Sequence, residues 1–372
     1  MRDVLDELLA VWRAGGTAGL STVVRTMQSA PRPPGAAMVV APDGSVAGSV
    51  SGGCVESAVY EVSADVVANG RPELQRYGVS DDEAFAVGLT CGGTIDIFTE
   101  PVSRQTFPQL QTVADDIAAH RAVAVATVID HPDPTWQGRR IVVGPDFAHG
   151  SVGSGRADNA IVDDARGLLA AGRSGVLSYG PDGQRQDAGM DVFVASHAPP
   201  PRMIIVGAID FGTALAAQAA LLGYRVTVCD ARPVFATAAR FPAADDVVVD
   251  WPHRYLAGEA ERGAVDTRTA ICVLTHDAKF DVPVLEVALR LDVGYVGVMG
   301  SRRTHDDRMR RLREIGLTDD ELRRLSSPIG LDLGARTPEE TAVSIAAEII
   351  SSRWGGGGRP LTETDGRIHH DT

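Results

Sequence analysis

The chain reads as an α/β protein. An N-terminal α/β or α+β domain precedes a Rossmann-like domain with a doubly wound parallel sheet. Three observations predict this. Strand-like runs in the second half end at small or acidic residues: the apolar run 203–206 stops at Gly207, and 224–229, which alternates, stops at Asp230. Between them lies the alanine-rich helical stretch 212–222, closed by Gly223. The prolines of Ala198-Pro199-Pro200-Pro201 cannot continue a helix or a central strand, so they divide the chain near its middle. Strands that are apolar on both faces and alternate with helices belong to a parallel sheet covered on both sides.

The remaining elements follow in order. In the second half, 247–249, 270–274 and 295–299 read as strands and 282–291 as a helix. Thr337-Pro338-Glu339-Glu340 is a capping box that opens a helix through Ile350. In the first half, Val4, Leu5, Leu8, Leu9 and Trp12 give residues 1–13 one apolar helical face. Strands are expected at 20–26, 36–41, 94–99, 122–129 and 140–143, and helices at 57–68 and 158–171. No tandem repeat stands out. The expected division is 1–197, 198–352 and a disordered tail over 353–372 that contains Gly355-Gly356-Gly357-Gly358.

Composition narrows the function. The chain has 372 residues, 44% of them hydrophobic and 23% charged, as in an ordinary globular protein with room for more than one core. A net charge of −14 and 5% aromatic residues argue against nucleic acid or an anionic membrane surface as partner. No apolar run is long enough to span a membrane, and nothing near the start resembles a signal peptide. Four cysteines without a CxxC pair indicate a reducing compartment, so the cytoplasm is expected. Lys279 is the single lysine, which removes Schiff-base and P-loop lysine chemistry from consideration.

Two cysteines stand out for their small neighbours: Cys54 in Ser51-Gly52-Gly53-Cys54-Val55-Glu56 and Cys91 in Thr90-Cys91-Gly92-Gly93-Thr94. Glycines let backbone N–H groups approach a guest, and a helix opening just after Cys54 favours anions and thiolate. The plainer alternatives are a tight turn kept for packing and a buried cysteine at a strand entrance. Cys229 and Cys272 lie inside apolar strands and read as core. In the second half, Gly207 and Gly212 match the first and third glycines of a dinucleotide fingerprint, and Asp230 stands near the ribose-binding acid's place. Ile209 fills the middle glycine's position and Asp210 adds negative charge, which weakens ordinary NAD binding. Thr275-His276-Asp277 and Gly300-Ser301-Arg302-Arg303 fall at strand ends, where parallel sheets bind ligands. His276 could act as an acid–base or as a loop hydrogen-bonder, and the arginines as phosphate ligands or as a solvated helix face.

Taken in order, the Cys54 and Cys91 motifs, Thr275-His276-Asp277, Gly300-Ser301-Arg302-Arg303, the stretch 328–334 and the capping box resemble the XdhC/CoxI family of molybdenum hydroxylase accessory proteins. The resemblance covers about residues 10 to 352. It implies a chaperone for the molybdenum cofactor, molybdopterin or its dinucleotide form, that is a carrier rather than an enzyme. Such a carrier holds its cargo while a cysteine desulfurase sulfurates it and then passes it to an apo molybdenum hydroxylase; a homodimer is expected. On this basis Cys54 and Cys91 would contact the metal or the pterin. Ser51, Gly52, Gly53, Gly92 and Gly93 would line the cofactor. Gly207, Gly212, Asp230, His276, Gly300, Ser301 and Arg302 would hold a phosphate or a nucleotide at the Rossmann domain. Two rivals remain: an NAD(P)-dependent oxidoreductase using His276, and a thiol-based sulfur carrier.

Overall fold

A computed structural model describes residues 1–27, 32–78, 93–185 and 188–365. Cys91 and Gly92 lie outside the described residues. The chain forms two compact units, Met1–Pro199 and a second beginning at Pro200.

The first unit repeats one topology twice. Its first half runs α1 (Leu5–Arg13), β1 (Ala18–Met27), β2 (Ala37–Val40), β3 (Val46–Gly48), α2 (Glu56–Asn69), β4 (Glu73–Tyr77) and β5 (Thr94–Val102). The second half runs α3 (Leu110–Ala118), β6 (Val123–Asp130), β7 (Arg140–Val143), β8 (Ala148–Gly150), α4 (Gly155–Ala171), β9 (Gly175–Tyr179) and β10 (Met190–His197). The five-stranded sheets have orders β3-β2-β1-β5-β4 and β8-β7-β6-β10-β9, and all pairings are antiparallel.

The likeness extends to single residues. Each central pairing carries one bulge, between Val23 and Arg25 in the first half and beside Asp191 in the second. Helices α2 and α4 both end on a left-handed glycine, Gly70 and Gly172. The halves meet through shared packing in which Val24 and Phe98 of one join Ile129 and Phe193 of the other. The absence of a repeat in the sequence reading is therefore corrected. What recurs is strand register, caps and a few glycines, while most side chains differ, because a sheet face asks only for apolar character and volume.

The structure also settles the first unit's class as α+β, with antiparallel sheets and packed helices. The expected strands and helices are present with shifted ends, and β3, β4, β8, β9, β10 and α3 were not anticipated.

The second unit is the expected Rossmann sheet. It contains β11 (Arg202–Val206), α5 (Asp210–Leu221), β12 (Arg225–Asp230), β13 (Asp246–Val249), α6 (Pro252–Glu261) and β14 (Ala270–Val273). After these come α7 (Ala278–Arg290), β15 (Tyr295–Val298), α8 (Arg302–Glu314), α9 (Asp319–Leu322), β16 (Leu325–Ser326) and α10 (Pro338–Trp354). The strands pair in parallel in the order β13-β12-β11-β14-β15-β16.

Alternation explains the continuous apolar runs. Met203, Ile205 and Cys272 point to the face covered by α5 and α10, while Ile204, Val206 and Ile271 point to the face covered by α6, α7 and α8. The Thr337 capping box forms as expected, but its helix continues to Trp354, into the stretch expected to be tail. Among the described residues, no helix is long and apolar enough to cross a membrane.

Candidate functional site

Cys54 sits half-buried on the loop between β3 and α2, packed against a cluster that includes Val50, Val55, Val59, Tyr77 and Ile95. The loop takes its shape from Gly52 and Gly53, whose φ values of 76° and 116° lie where other L-residues are strained. Among the described residues no atom would meet a Cβ at either position within 4 Å, and it is the backbone conformation that demands the glycines.

The loop's N–H groups do not face outward. Glu56 Oε1 accepts from Ser49 Oγ at 2.6 Å, Ser51 N at 2.9 Å and Val50 N at 3.3 Å. Its Oε2 accepts from Ser51 Oγ, from Gly53 N at 2.8 Å and from Val55 N at 3.2 Å. Gly52 N donates to Ser49 Oγ at 2.9 Å and Cys54 N to Ser51 Oγ at 2.9 Å. Every amide from Val50 to Val55 is thus engaged within the loop. Burial works against ionising Glu56, yet the hydroxyl bonds from Ser49 and Ser51 and the Ser51 amide outweigh it and draw the pKa down to about 2.

This corrects the expectation that Gly52 and Gly53 cradle an anion with their amides. The protein supplies its own anion, Glu56. Cys54 follows these glycines on the loop and stays half-buried against the apolar cluster. In the first turn of α2, Glu56 suits the helix dipole, and it also holds the whole loop. Tyr77 and Ile95, on the strands that flank in sequence the segment carrying Cys91, lie in the same cluster as Cys54. Gly93 is described and buried.

The repeat contains a counterpart. Gly48-Ser49-Val50-Ser51 and Gly150-Ser151-Val152-Gly153 leave equivalent strands, and Asp158 stands where Glu56 stands. Asp158 accepts from Ser151 Oγ at 2.7 Å and Val152 N at 2.8 Å. There α4 has already begun at Gly155, and Arg156 occupies the position of Cys54. The turn after β9 closes over this helix start: Ser154 Oγ donates to Asp182 Oδ1 at 2.5 Å, and a Cβ on Gly183 would lie 2.4 Å from Ala157 Cα.

In the second unit, the expected ligand residues gather at the carboxyl edge of the sheet: Gly207 after β11, Asp230 at the end of β12, His276 after β14, and Gly300, Ser301 and Arg302 after β15. Gly207 (φ 114°) faces Thr275, and a Cβ there would lie 2.9 Å from Thr275 Cγ2. Gly212 lets α5 approach the strand, since its Cβ would meet the Gly207 carbonyl oxygen at 2.8 Å.

Asp230 departs from the ribose-binding role. It is 2% exposed, and its Oδ2 accepts from Ala208 N at 2.8 Å and Arg232 Nη2 at 2.7 Å. Its Oδ1 accepts from Arg232 N and Nε, both at 2.9 Å. Burial opposes its ionisation, but these bonds hold its pKa below the usual carboxylate value. The acid braces the turn and leaves no free oxygen for a ribose diol. Asp210 is exposed and meets Arg240 Nη2 at 3.3 Å. His276, Arg302 and Arg303 are exposed, and Ser301 caps α8 by accepting from Thr304 N at 3.2 Å.

Cys229 and Cys272 are fully buried, and burial pushes both thiols up, Cys229 to about 12, which fits a packing role. Among the described residues, no group of three or more His, Cys, Asp or Glu is arranged to hold a metal ion.

Comparison with known proteins agrees with this layout. The XdhC and CoxI family model matches residues 11–78 and 116–180, segments that enclose the same elements in the two repeats, and the XdhC Rossmann domain model matches residues 203–349. The chain is 27% identical over 352 residues to the molybdenum cofactor insertion chaperone PaoD of Escherichia coli (strain K12), covering 95% of this chain and 88% of that one. It is 29% identical over 338 residues to a protein of Bacillus subtilis (strain 168) named as a probable xanthine dehydrogenase component, covering 90% and 93%. A crystal structure of a xanthine dehydrogenase from Bacillus halodurans shares the fold, with a TM-score of 0.65, 24% identity and 97% of each chain covered. The doubled α+β unit, its glycine-flanked cysteine loop and the Rossmann unit after it thus have one common source: the chain belongs to the XdhC and CoxI family.

Proposed function

We propose that this protein carries the molybdenum cofactor during maturation of a molybdenum hydroxylase, with Cys54 as the group that meets the cargo. The observation that carries this reading is the Cys54 loop. Its amides are all engaged by Glu56 and by the hydroxyls of Ser49 and Ser51, so the loop brings sulfur to a ligand rather than backbone donors. A thiolate is the soft ligand that a dithiolene-bound metal accepts. PaoD, which matches nearly the whole chain, is named for inserting this cofactor. Cys91, in the segment flanked by Tyr77 and Ile95, is proposed as the second thiol.

An apo molybdenum hydroxylase is the proposed receiver and a cysteine desulfurase the proposed sulfur donor. Self-association into a homodimer is measurable by sedimentation. The strand-end edge of the Rossmann unit, with Ser301 and Arg302, is the proposed place for a phosphate. The engagement of Asp230 speaks against a nicotinamide nucleotide, so NADH and NADPH are expected to leave calorimetric titrations flat.

The decisive measurement is molybdenum and oxidised-pterin fluorescence per monomer, on protein purified without oxygen from a host that makes the cofactor. Wild type is expected to retain pterin, and Cys54→Ser and Cys91→Ser to lose most of it. Retention equal to wild type in both variants would overturn the thiol-ligand reading.

A further inference from the structure

We propose that Asp281 and Arg308 are a positioning pair that sets the strand-end loops of the Rossmann unit as one ligand-facing edge. The inference rests on the carrier reading for the identity of the ligand, but the geometry stands by itself. Asp281 lies in the first turn of α7 and Arg308 in the second turn of α8, and each side chain is 3% exposed. Arg308 Nη2 donates to Asp281 Oδ2 at 2.9 Å and to the Met299 carbonyl oxygen at 2.9 Å, while its Nη1 donates to Ser327 Oγ at 3.4 Å. Asp281 Oδ1 accepts from Thr275 Oγ. A Cβ on Gly300 would lie 3.3 Å from Arg308 Nη1, so the loop after β15 lies directly against the guanidinium.

One ion pair therefore ties together three segments far apart in sequence. These are Thr275, which leads into His276 and Asp277; Met299, which leads into Gly300, Ser301 and Arg302; and Ser327, just after β16. A buried pair loses most of its attraction to desolvation, so two apolar side chains of similar volume would hold α7 to α8 about as well. They could not bond a threonine hydroxyl, a carbonyl and a serine hydroxyl in three different loops. The pair's particular contribution is thus the arrangement of the edge. The groups it leaves outward, His276, Arg302 and Arg303, are those of a phosphate-bearing ligand's site.

The test uses the full chain with the double variant Asp281→Leu/Arg308→Met and, because that variant could fail to fold, the shape-preserving Asp281→Asn. Amide hydrogen exchange is read at Phe280, Met299 and Thr304, whose N–H groups are bonded to Asp277 O, Val273 O and Ser301 Oγ. Pterin retained after incubation with purified molybdenum cofactor is read in parallel. The expected result is at least tenfold faster exchange at these three amides, unchanged protection in β11 and β12, and at least tenfold less retained pterin. Exchange like that of wild type overturns the positioning role. Loosened loops with undiminished pterin overturn the ligand-facing part. If wild type itself retains no pterin, the carrier reading fails, and the exchange result alone decides whether the pair positions the loops.

Discussion

The two halves of the first unit open a helix from closely similar stretches, 48–56 and 150–158, and they do it in different ways. In the second half, Ser154 caps the helix, Gly155 begins it, and Arg156 and Ala157 are already helical. In the first half the equivalent residues, Gly53 to Val55, remain a loop, and the helix waits until Glu56. Two positive-φ glycines, Gly52 and Gly53, unwind what would be the first turn, whereas in the second half positive φ occurs earlier, at Gly153. Unwinding a turn frees amides, and a glutamate one methylene longer than the aspartate of the other half gathers them. The comparison teaches how a cysteine comes to stand on a fixed loop: local unwinding presents it, and an internal carboxylate offsets the backbone's loss of helical hydrogen bonds.

The largest expected effect breaks the comparison at the thiol. Placing a cysteine in the other half, Arg156→Cys in a Cys54→Ser background, is expected to leave pterin retention more than tenfold below wild type, because that position is already helical and is not held on an unwound loop. Restoration would mean that any thiol on this unit suffices.

Next comes the carboxylate. Glu56→Gln should cost about 3 kcal/mol in urea unfolding and Asp158→Asn about 1 kcal/mol, since six bonds converge on one and two on the other. Equal costs would show that the extra bonds carry no stability.

Gly53→Ala is expected to cost about 1–2 kcal/mol through its positive φ. Gly155→Ala, helical and with open space at Cβ, should be neutral or stabilising by up to about 1 kcal/mol. Thermal unfolding of the pair resolves the sign.

The same carboxylate sets a pH dependence. Glu56 has a folded pKa depressed to about 2, so its contribution is present above the ordinary carboxylate value and is lost as pH falls toward 2. The stability gap between wild type and Glu56→Gln should be constant from about pH 5 to 8 and close below about pH 4.5. A gap that closes near neutral pH would contradict this assignment.

The Rossmann unit is readable because both sheet faces are covered, so central strands such as β11 and β14 print apolar runs. The first unit is harder. Strands such as β3 and β8 are three residues long, and β4 is mixed in polarity, so neither period nor length marks them. Cys54, Gly52 and Gly53 announce the loop by their residue types. The direction of its amides stays hidden, because it depends on which acceptor reaches them first, and Glu56 reads equally well as a residue that merely suits the helix dipole. Asp230 misleads for the same reason: Arg232 lies two residues on, and only the fold shows that it closes on the acid. Arg308 gives no signal among the arginines of its helix.

The sequence alone determined the Rossmann class of the second unit, the packing cysteines and the family through its ordered motifs, because these depend on residue type and local spacing. Tertiary structure decided the doubled topology of the first unit, the inward turn of the Cys54 loop's amides, and the pairings of Asp230 and Asp281. Each of these depends on which of several chemically eligible partners lies within about 3 Å, a hydrogen-bond distance that chain order does not encode.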